Sequence, residues 1–424
     1  MRKIILIFTG LSLIAGFAYA GDEGKVDIHG FISQGYLKTD HNNYMAETED
    51  GSFQFNELGL NFGTDLTDKL RLGLQFFARD LGTDGNDKLV LDWVVADYRW
   101  RDFLGFRVGR IKLPAGYYYA IRDFDMLRTD VFVPQCVYPE ILRDTFSFIK
   151  GISLYGNMIG PWGHLSYDYL TGRANLSLDT GLASAQEDFW SYYGLKLTDM
   201  TSSQSHSFDC KWETPLPGLI LGGTAYYHKD FYLEGTLSGP VSDILKLTYL
   251  RTYMDFKGYF LMLRYILGDV AFTAELNQNR IESVIDADRS YDDPGYLKAE
   301  ALTSQGWYMA LSYRFNSFFE AEYMYSVFYP DKTNKHGKDR YSHTDLNDVF
   351  KSVGVLKQFY GNDFEAWKKT STFSFRFDIN EYWLFKLEAA YNDGFGEYTS
   401  ADNRDHSDLK RYWWLYAAKV TYNF

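Results

Sequence analysis

The stretch RYWWLYAAKVTYNF, residues 411–424, ends the 424-residue chain and alternates between two kinds of side chain. The positions between its apolar residues include Lys419, Thr421 and Asn423. Because successive side chains of a strand point to opposite faces, the segment predicts a strand with one apolar and one polar face. Such a strand suits a sheet that touches lipid on one side and water on the other. Its apolar face consists of Tyr412, Trp414, Tyr416, Ala418, Val420, Tyr422 and Phe424.

The first twenty residues have the pattern of a secretory signal peptide. Arg2 and Lys3 precede an apolar stretch, and Ala18-Tyr19-Ala20 form a small-x-small cleavage motif. Such a signal is removed on export, so we expect residues 1–20 to be cleaved and residues 21–424 to form one domain. No later stretch approaches the roughly 18 apolar residues that a membrane-spanning helix needs. A membrane form would therefore be a closed β-barrel, because in hydrocarbon all backbone groups must be paired within the protein.

The composition favours strands and excludes some partners. Aromatic residues make up 18% of the chain, Pro occurs only 9 times and the mean hydropathy is −0.31. A soluble β-sandwich is the alternative, but aromatic residues that alternate outward would make it prone to aggregation. The net charge of −13 argues against a nucleic acid partner. Cys136 and Cys210 are too few for a disulfide framework and are predicted to be unpaired thiols.

Alternating segments recur along the whole chain, separated in turn by short and long connections. This order is typical of an antiparallel barrel with both termini on the periplasmic side. Residues 244–256 could be a further strand or part of a loop. The sixteen predicted strands are 26–37, 53–63, 69–79, 88–100, 103–112, 146–157, 162–171, 203–213, 217–230, 257–267, 269–281, 304–315, 317–329, 369–379, 382–393 and 410–424.

The alternation assigns a face to each residue of these strands. In TFSFRFDI, Phe373 and Phe375 are predicted to face lipid, and Arg376 and Asp378 to face the interior. A charge on the lipid face would cost about 2 to 4 kcal/mol near the midplane, so the interior charges predict a water-filled channel. The alternative is that some of them only pair with each other and support the wall. The predicted pore-lining residues are Arg71, Arg79, Arg107, Arg264, Glu275, Arg314, Glu320, Glu322, Arg376, Asp378, Lys386 and Glu388.

The third long connection, residues 113–145, is rich in aromatic, aliphatic and proline residues. A segment this apolar is expected to fold against the inner wall of the barrel. Its charges of both signs would then create a transverse field at a narrowing and orient polar solutes. The alternative is that they are ion pairs that pin the loop, Arg122 with Asp123 or Asp125, and Arg143 with Asp144 or Glu140. The predicted constriction residues are Tyr117, Tyr118, Arg122, Asp123, Asp125, Arg128 and Arg143.

The sequence shows no sign of catalysis or of a bound cofactor. The eight histidines are scattered, without the spacing of a metal site on one element. The stretch DLGTDGNDK, residues 80–88, is rich in oxygen ligands but lacks a bidentate acid, which favours a plain turn over a calcium site. No serine is marked as part of a Ser/His/Asp set. We therefore expect no enzyme activity, no metal and no cofactor.

Several motifs together resemble the outer-membrane porins of Gram-negative bacteria, in the porin-like group that includes the phosphate-selective porins. They are IHGFISQGYL at 28–37, VGRIKLPAGYYYAIRDFD at 108–125, VPQCVYPEILRD at 133–144, SYRF at 312–315 and the terminal YNF. The resemblance implies an outer-membrane homotrimer of sixteen-stranded barrels, each with a pore narrowed by the third loop. It also implies that the barrel-assembly machinery recognises Phe424. The phosphate-selective members use clustered lysines, whereas this loop carries arginines.

Three functions follow as hypotheses. The first is passive diffusion of small hydrophilic solutes through a water-filled channel. The second is a channel selective for small anions such as phosphate or dicarboxylates, which would rely on Arg122, Arg128 and Arg143. The third, of another class, is a structural or adhesive barrel whose long loops bind a partner.

Overall fold

A computed structural model describes residues 25–82, 85–190, 193–239, 242–243, 246–290, 293–338, 362–397, 403 and 408–424. The predicted signal peptide lies outside the described residues. Most of the connection between the predicted strands 317–329 and 369–379 also lies outside them, as do two residues of the stretch 80–88.

Seventeen antiparallel strands of the described chain form one sheet. They are β1 (Asp27–Thr39), β2 (Phe55–Thr67), β3 (Leu70–Leu81), β4 (Val90–Arg101), β5 (Leu104–Lys112), β6 (Phe148–Gly160), β7 (Gly163–Ala174), β8 (Leu195–Thr201), β9 (Gln204–Glu213), β10 (Leu219–Leu237), β11 (Tyr249–Leu267), β12 (Val270–Ser290), β13 (Asp293–Arg314), β14 (Phe319–Tyr329), β15 (Lys368–Asp378), β16 (Trp383–Gly394) and β17 (Tyr412–Asn423). A helix at Gly181–Phe189 lies between β7 and β8.

The sheet closes into a barrel where the first strand meets the last. β1 pairs with β2 on one side and with β17 on the other. Beyond the last paired residues, the Gly30 and Phe424 backbones exchange two N–H to O hydrogen bonds of 2.9 and 3.0 Å. β9 pairs with both β7 and β10, so the short β8, which pairs with the outer part of β10, is an addition to the wall. The wall is therefore a closed barrel of sixteen strands, which confirms the predicted fold class and strand number.

Two of the predicted long loops are mostly strand. β10 continues to Leu237 and β11 begins at Tyr249, so most of 231–256 is paired, and the C-terminal part of 244–256 belongs to β11. β12 and β13 likewise extend through most of 282–303. Here the backbone groups find their partners across the hairpin, whereas the sequence prediction placed both extensions in loops. The barrel wall is consequently taller on this side.

The two faces of the wall differ as the alternation predicts. Phe373, Phe375, Tyr416 and Val420 are all exposed on the outside of the barrel. Lys419, which is flanked by outward residues, is only 2% exposed. Among the described residues, no helix is both long and apolar enough to cross a membrane. The predicted outward face is therefore confirmed at these positions.

Apolar clusters fill part of the interior towards the long-loop end. One cluster joins the third long loop to β11, β13 and β14, and it includes Cys136, Phe260 and Tyr308. A second cluster joins the helix at Gly181–Phe189 to β8, β10 and β11. Both cysteines are free, with Cys136 buried in the loop and Cys210 partly exposed on β9, which confirms that they are unpaired.

If the outward face touches lipid, replacing Phe373 by arginine should lower the free energy of unfolding in lipid vesicles by about 2 to 4 kcal/mol, because the charge would lie in hydrocarbon. The matched control is Phe373→Leu, which keeps the position apolar and should cost less than about 1.5 kcal/mol. Urea titration of both variants measures the difference. Equal stability of the arginine and leucine variants would show that this face does not touch lipid.

Candidate functional site: the third loop and the inner wall

The third long loop has little regular structure of its own and is held by its surroundings. It contains two 3-10 turns, at Asp125–Leu127 and Glu140–Leu142, and one helical turn at Arg143–Phe146. Its apolar residues, such as Val133 and Val137, belong to the same buried cluster as Phe260 of β11 and Met324 of β14. The loop therefore lies against inward-facing side chains of the wall.

A buried glutamate of β12 holds the first part of the loop. Glu275 accepts hydrogen bonds from the Tyr138 hydroxyl at 2.7 Å, the Tyr308 hydroxyl at 2.6 Å and the Tyr117 N–H at 2.7 Å. Gly116 has a positive φ of 60°, and a Cβ there would lie 2.3 Å from the Tyr138 hydroxyl oxygen. Glycine thus allows the backbone to approach this glutamate closely.

Arg143 is the centre of a second group of contacts, between the loop and β3 and β4. Its guanidinium lies 2.8 Å from Asp123, 3.2 Å from Asp92 and 3.1 Å from Asp144. The same group stacks on the Phe77 ring, with 3.8 Å between Cζ and the ring centroid. A guanidinium satisfies several carboxylates at once because its donors are arranged in a planar fork.

Glu140 forms the neighbouring ion pairs on this side. Arg122 lies 2.7 Å from one of its oxygens and Arg79 of β3 lies 3.0 Å from the other. Nearby, Lys112 at the end of β5 contacts Asp123 at 2.7 Å. Every one of these contacts joins the loop to itself or to the wall.

Asp125 ties the loop to a further part of the wall, formed by β16 and β17. It lies 2.7 Å from Arg128, 2.8 Å from Lys419 of β17 and 3.8 Å from Lys386 of β16. The Thr421 hydroxyl donates a further hydrogen bond to it at 2.7 Å. Two cationic wall residues and a hydroxyl thus converge on one loop carboxylate.

A second acidic wall residue fixes the backbone that follows. Glu388 of β16 accepts hydrogen bonds from the Val131 N–H at 2.8 Å and the Phe132 N–H at 3.4 Å. Lys386 donates to the Asp130 carbonyl oxygen at 2.8 Å. The loop is therefore anchored at three places on the wall: on β3 and β4, on β12, and on β16 and β17.

Asp123, Asp125 and Glu140 have lowered pKa values in these surroundings and are ionised at neutral pH. Burial alone would raise the pKa of Asp123, but Arg143 and Lys112 hold that pKa well below its usual value. Burial alone would also raise the pKa of Asp125, but the charges of Lys419 and Arg128 outweigh it and lower that pKa. Burial likewise opposes Arg122 and Arg79, which together lower the pKa of Glu140.

The predicted constriction residues are mostly enclosed by these contacts. Arg122, Arg128 and Arg143 are 4%, 9% and 2% exposed. Their pairing follows the alternative reading, in which ion pairs pin the loop, although Arg122 binds Glu140 and not Asp123 or Asp125. Tyr118 is buried, whereas Tyr117 is partly exposed.

The predicted pore-lining residues fall into two groups. Those under the loop are buried, namely Arg79, Glu275, Lys386 and Glu388. The others are at least partly exposed, and we call those nearest the short turns the inner vestibule. Its residues are Arg71, Arg107, Arg264, Arg314, Glu320, Arg376 and Asp378. Glu322 is also partly exposed, and it is the next inward residue of β14 after Glu320.

Most charges of the inner vestibule are paired across strands. Arg107 lies 2.9 Å from Asp97 and 2.7 Å from Asp168, and Arg314 lies 3.1 Å from Glu320. Arg376 differs in that it contacts Asp378 of its own strand, β15, at 2.8 Å. Arg264 differs, since no described carboxylate forms an ion pair with it and its guanidinium lies over the Tyr117 ring at 4.7 Å.

Sequence reasoning missed Asp92, Asp97 and Lys112 as interior residues. The β3–β4 register shifts between Gln75 and Phe76, so Asp92 turns inward next to an inward-facing tryptophan. A strict period of two cannot show such a bulge. Asp97, by contrast, occupies a regular position of β4, and extending the alternation from Val95 would have found it.

The described residues contain no group of three or more His, Cys, Asp or Glu side chains that could hold a metal ion. The closed sixteen-stranded antiparallel barrel has the fold of outer-membrane porins.

Comparisons with known proteins agree on this fold. No protein-family model and no curated protein matches the chain. OmpT, an outer membrane protein of Vibrio cholerae, is 11% identical with a TM-score of 0.52, over 96% of this chain and 100% of that chain. An anion-selective porin from Comamonas acidovorans is 10% identical with a TM-score of 0.51, over 95% and 100%. OprB of Pseudomonas putida is 10% identical with a TM-score of 0.54, over 95% of each chain. At such identities the similarity shows a common fold.

Removing the Arg143 guanidinium should destabilise the barrel strongly. In Arg143→Met, Asp92 loses its ion pair while it stays buried, and the cost should be about 3 to 5 kcal/mol. The control is Arg411→Met, which removes an exposed ion pair of 2.7 Å with Asp393 and should cost less than about 1 kcal/mol. Urea titration in lipid vesicles compares the two. Similar small losses in both variants would contradict the role given to Arg143.

The loop contacts should weaken in acid and not in base. Because the folded-state pKa values of Asp123, Asp125 and Glu140 are lowered, their contribution is complete above the usual carboxyl pKa of about 4 and is lost as the pH falls through the lowered values. Amide hydrogen exchange of residues 113–147, corrected for intrinsic rates, should be constant from pH 7 to about pH 5 and faster towards pH 2. Amides of β6 and β7 serve as the reference. Loop exchange that stays constant down to pH 2 would contradict the ion-pair account.

Proposed function

We propose that this protein is an outer-membrane channel for the passive diffusion of small hydrophilic solutes. The observation that carries the proposal is the opposite chemistry of the two barrel faces. Large apolar side chains such as Phe373 and Leu261 are exposed outside, while inward positions carry charges such as Arg264 and Arg314. Partly exposed charges inside a barrel require water, because hydrocarbon or a dry core would penalise them heavily.

The third loop is proposed to narrow this channel. It contacts the wall strands β4, β12 and β17, and its buried ion pairs hold it in place. The arginines first expected to contact solute, Arg122, Arg128 and Arg143, are assigned instead to holding the loop. Solute contacts are assigned to the inner vestibule and to Tyr117, next to which Arg264 lies.

The mixed charges of the inner vestibule favour weak selectivity. Arg107, Arg314 and Arg376 each have a carboxylate neighbour within 3.1 Å. Such pairs leave little net field of either sign along the path of a solute. A general diffusion channel is therefore the function that the geometry supports best.

A channel selective for small anions is the second candidate. Arg264 favours it, because this inward guanidinium has no ion-pair partner among the residues that the structure describes. One similar structure is that of an anion-selective porin, at 10% identity. Phosphate or a dicarboxylate would be a suitable solute for an unpaired guanidinium.

Conductance across planar lipid bilayers tests these functions. Wild type should show stepwise currents and a small reversal potential under a salt gradient. Arg264→Glu should move the reversal potential towards cation preference, because it reverses the charge of the unpaired inward group. Lys196→Glu, at a 73% exposed side chain on β8, makes the same charge change outside the vestibule and should have no effect.

The outcomes separate the three hypotheses. A strong anion preference in wild type that Arg264→Glu removes would favour the anion channel. Stable insertion without any current would contradict both channel proposals and favour a structural or adhesive barrel.

Export, assembly and trimerisation complete the proposal. We propose cleavage after Ala20, recognition of Phe424 by the barrel-assembly machinery and a homotrimer in the outer membrane of a Gram-negative bacterium. The Phe424 ring lies where a Cβ on Gly30 would be only 2.5 Å away, so this aromatic residue is closely fitted at the seam. One similar structure, OmpT of Vibrio cholerae, is described in a trimer form. Chemical cross-linking of the protein in native membranes should yield trimers.

A further inference from the structure

An apolar cavity of about 210 Å³ lies inside the barrel, between the third loop and the wall strands β10 to β14. It is on the long-loop side of the inner vestibule, because its wall residues come from the middle and outer parts of these strands. The channel proposal does not use this cavity, since hydrophilic solutes gain little from an apolar wall.

Aromatic rings form much of the cavity wall. Phe146 at the end of the loop packs near His228, with 5.2 Å between ring centroids, and near Phe256, at 5.7 Å. On the other side, Phe260 lies 5.9 Å from Tyr119 and 5.7 Å from Tyr226. Rings in these orientations can pack edge-to-face or offset-stacked against a further aromatic ring bound in the cavity.

Two polar atoms in this wall have no hydrogen-bond partner in the part of the chain that the structure describes. His228 is 2% exposed, and its Nδ1 has no hydrogen-bond partner among the described residues. The side-chain oxygen of Asn279, which also lines the cavity, is buried and likewise has no partner among those residues. Buried polar atoms are nearly always hydrogen-bonded. The Asn279 oxygen is an acceptor, and Nδ1 of His228 is one when the imidazole proton is on Nε2, so the two atoms point to a ligand that carries a donor.

Size and charge narrow the class of ligand. A cavity of about 150 Å³ lined by apolar residues can bind benzene, so this one can take a benzene ring with a substituent. Glu397 is the carboxylate among the described lining residues, and it is already paired with Lys368 at 2.7 Å. A charged ligand would find no free group of opposite sign there, so a neutral one is favoured.

We propose that the cavity binds a small neutral aromatic molecule with a hydroxyl group, that is, a phenol. The ring lies among Phe146, Phe256 and Phe260. The hydroxyl donates a hydrogen bond to Nδ1 of His228, whose proton is on Nε2 in this arrangement. This binding does not depend on conduction, so a failure of the channel proposal would leave it intact.

Fluorine NMR of the purified full-length protein in detergent tests the site, with 4-fluorophenol and fluorobenzene as probes. Wild type should bind 4-fluorophenol more tightly than fluorobenzene. His228→Leu should weaken 4-fluorophenol binding about fivefold to tenfold, because one hydrogen bond is lost, and should leave fluorobenzene nearly unchanged. His164→Leu, which changes a histidine bonded to Glu213 and Asn157 on other strands, is the matched control and should bind like wild type.

A second variant separates binding in the cavity from uptake by the detergent. Ser304→Phe fills the cavity from β13 and should abolish the binding of both probes, and its folding is verified by circular dichroism. The proposal is overturned if Ser304→Phe binds 4-fluorophenol as wild type does. Equal affinity of wild type for both probes, or no effect of His228→Leu, would overturn the role of the hydroxyl and His228.

Discussion

The structure depends on the requirement that every backbone polar group in hydrocarbon be paired within the protein. An antiparallel sheet meets this requirement only when its first and last strands join, and here β1 and β17 pair over nine residues, from Phe31–Asn423 to Thr39–Leu415. Closure then divides the side chains of every strand into an outer and an inner set. The apolar outside, the charged inside and the space for an inserted loop all follow from that division.

The interior combines charges that are buried with charges that are partly exposed. Asp92, Asp123 and Arg143 are almost fully enclosed, and a buried ion pair contributes little net stability because desolvation offsets attraction. These ion pairs fix the position of the loop, because a charged group can be buried only where a group of opposite charge lies next to it. The loop is thus held in one place, while the pairs of the inner vestibule are less enclosed.

The sequence allowed the wall to be predicted well and the interior only in part. The alternation of Phe373, Phe375 and Arg376 records directly which face of the barrel points outward, and the order of short and long connections gives the strand number. The pairing of Arg143 with Asp144 was among the predicted alternatives, whereas its contact with Asp92 and the pairing of Arg122 with Glu140 depend on how the loop folds on itself and on the wall, which no local pattern records. The inward turn of Asp92 requires a bulge, and the cavity beside His228 requires the packed loop, and neither feature has a periodic pattern.

The central claim is that lipid surrounds the barrel while water fills its interior. Single cysteines in lipid vesicles test it, in a background where Cys136 and Cys210 are replaced by alanine. A charged, membrane-impermeant thiol reagent should modify cysteines at the inward positions 107 and 264 and leave those at the outward positions 108 and 261 unmodified. Modification of both sets alike, or of the outward set alone, would contradict the account.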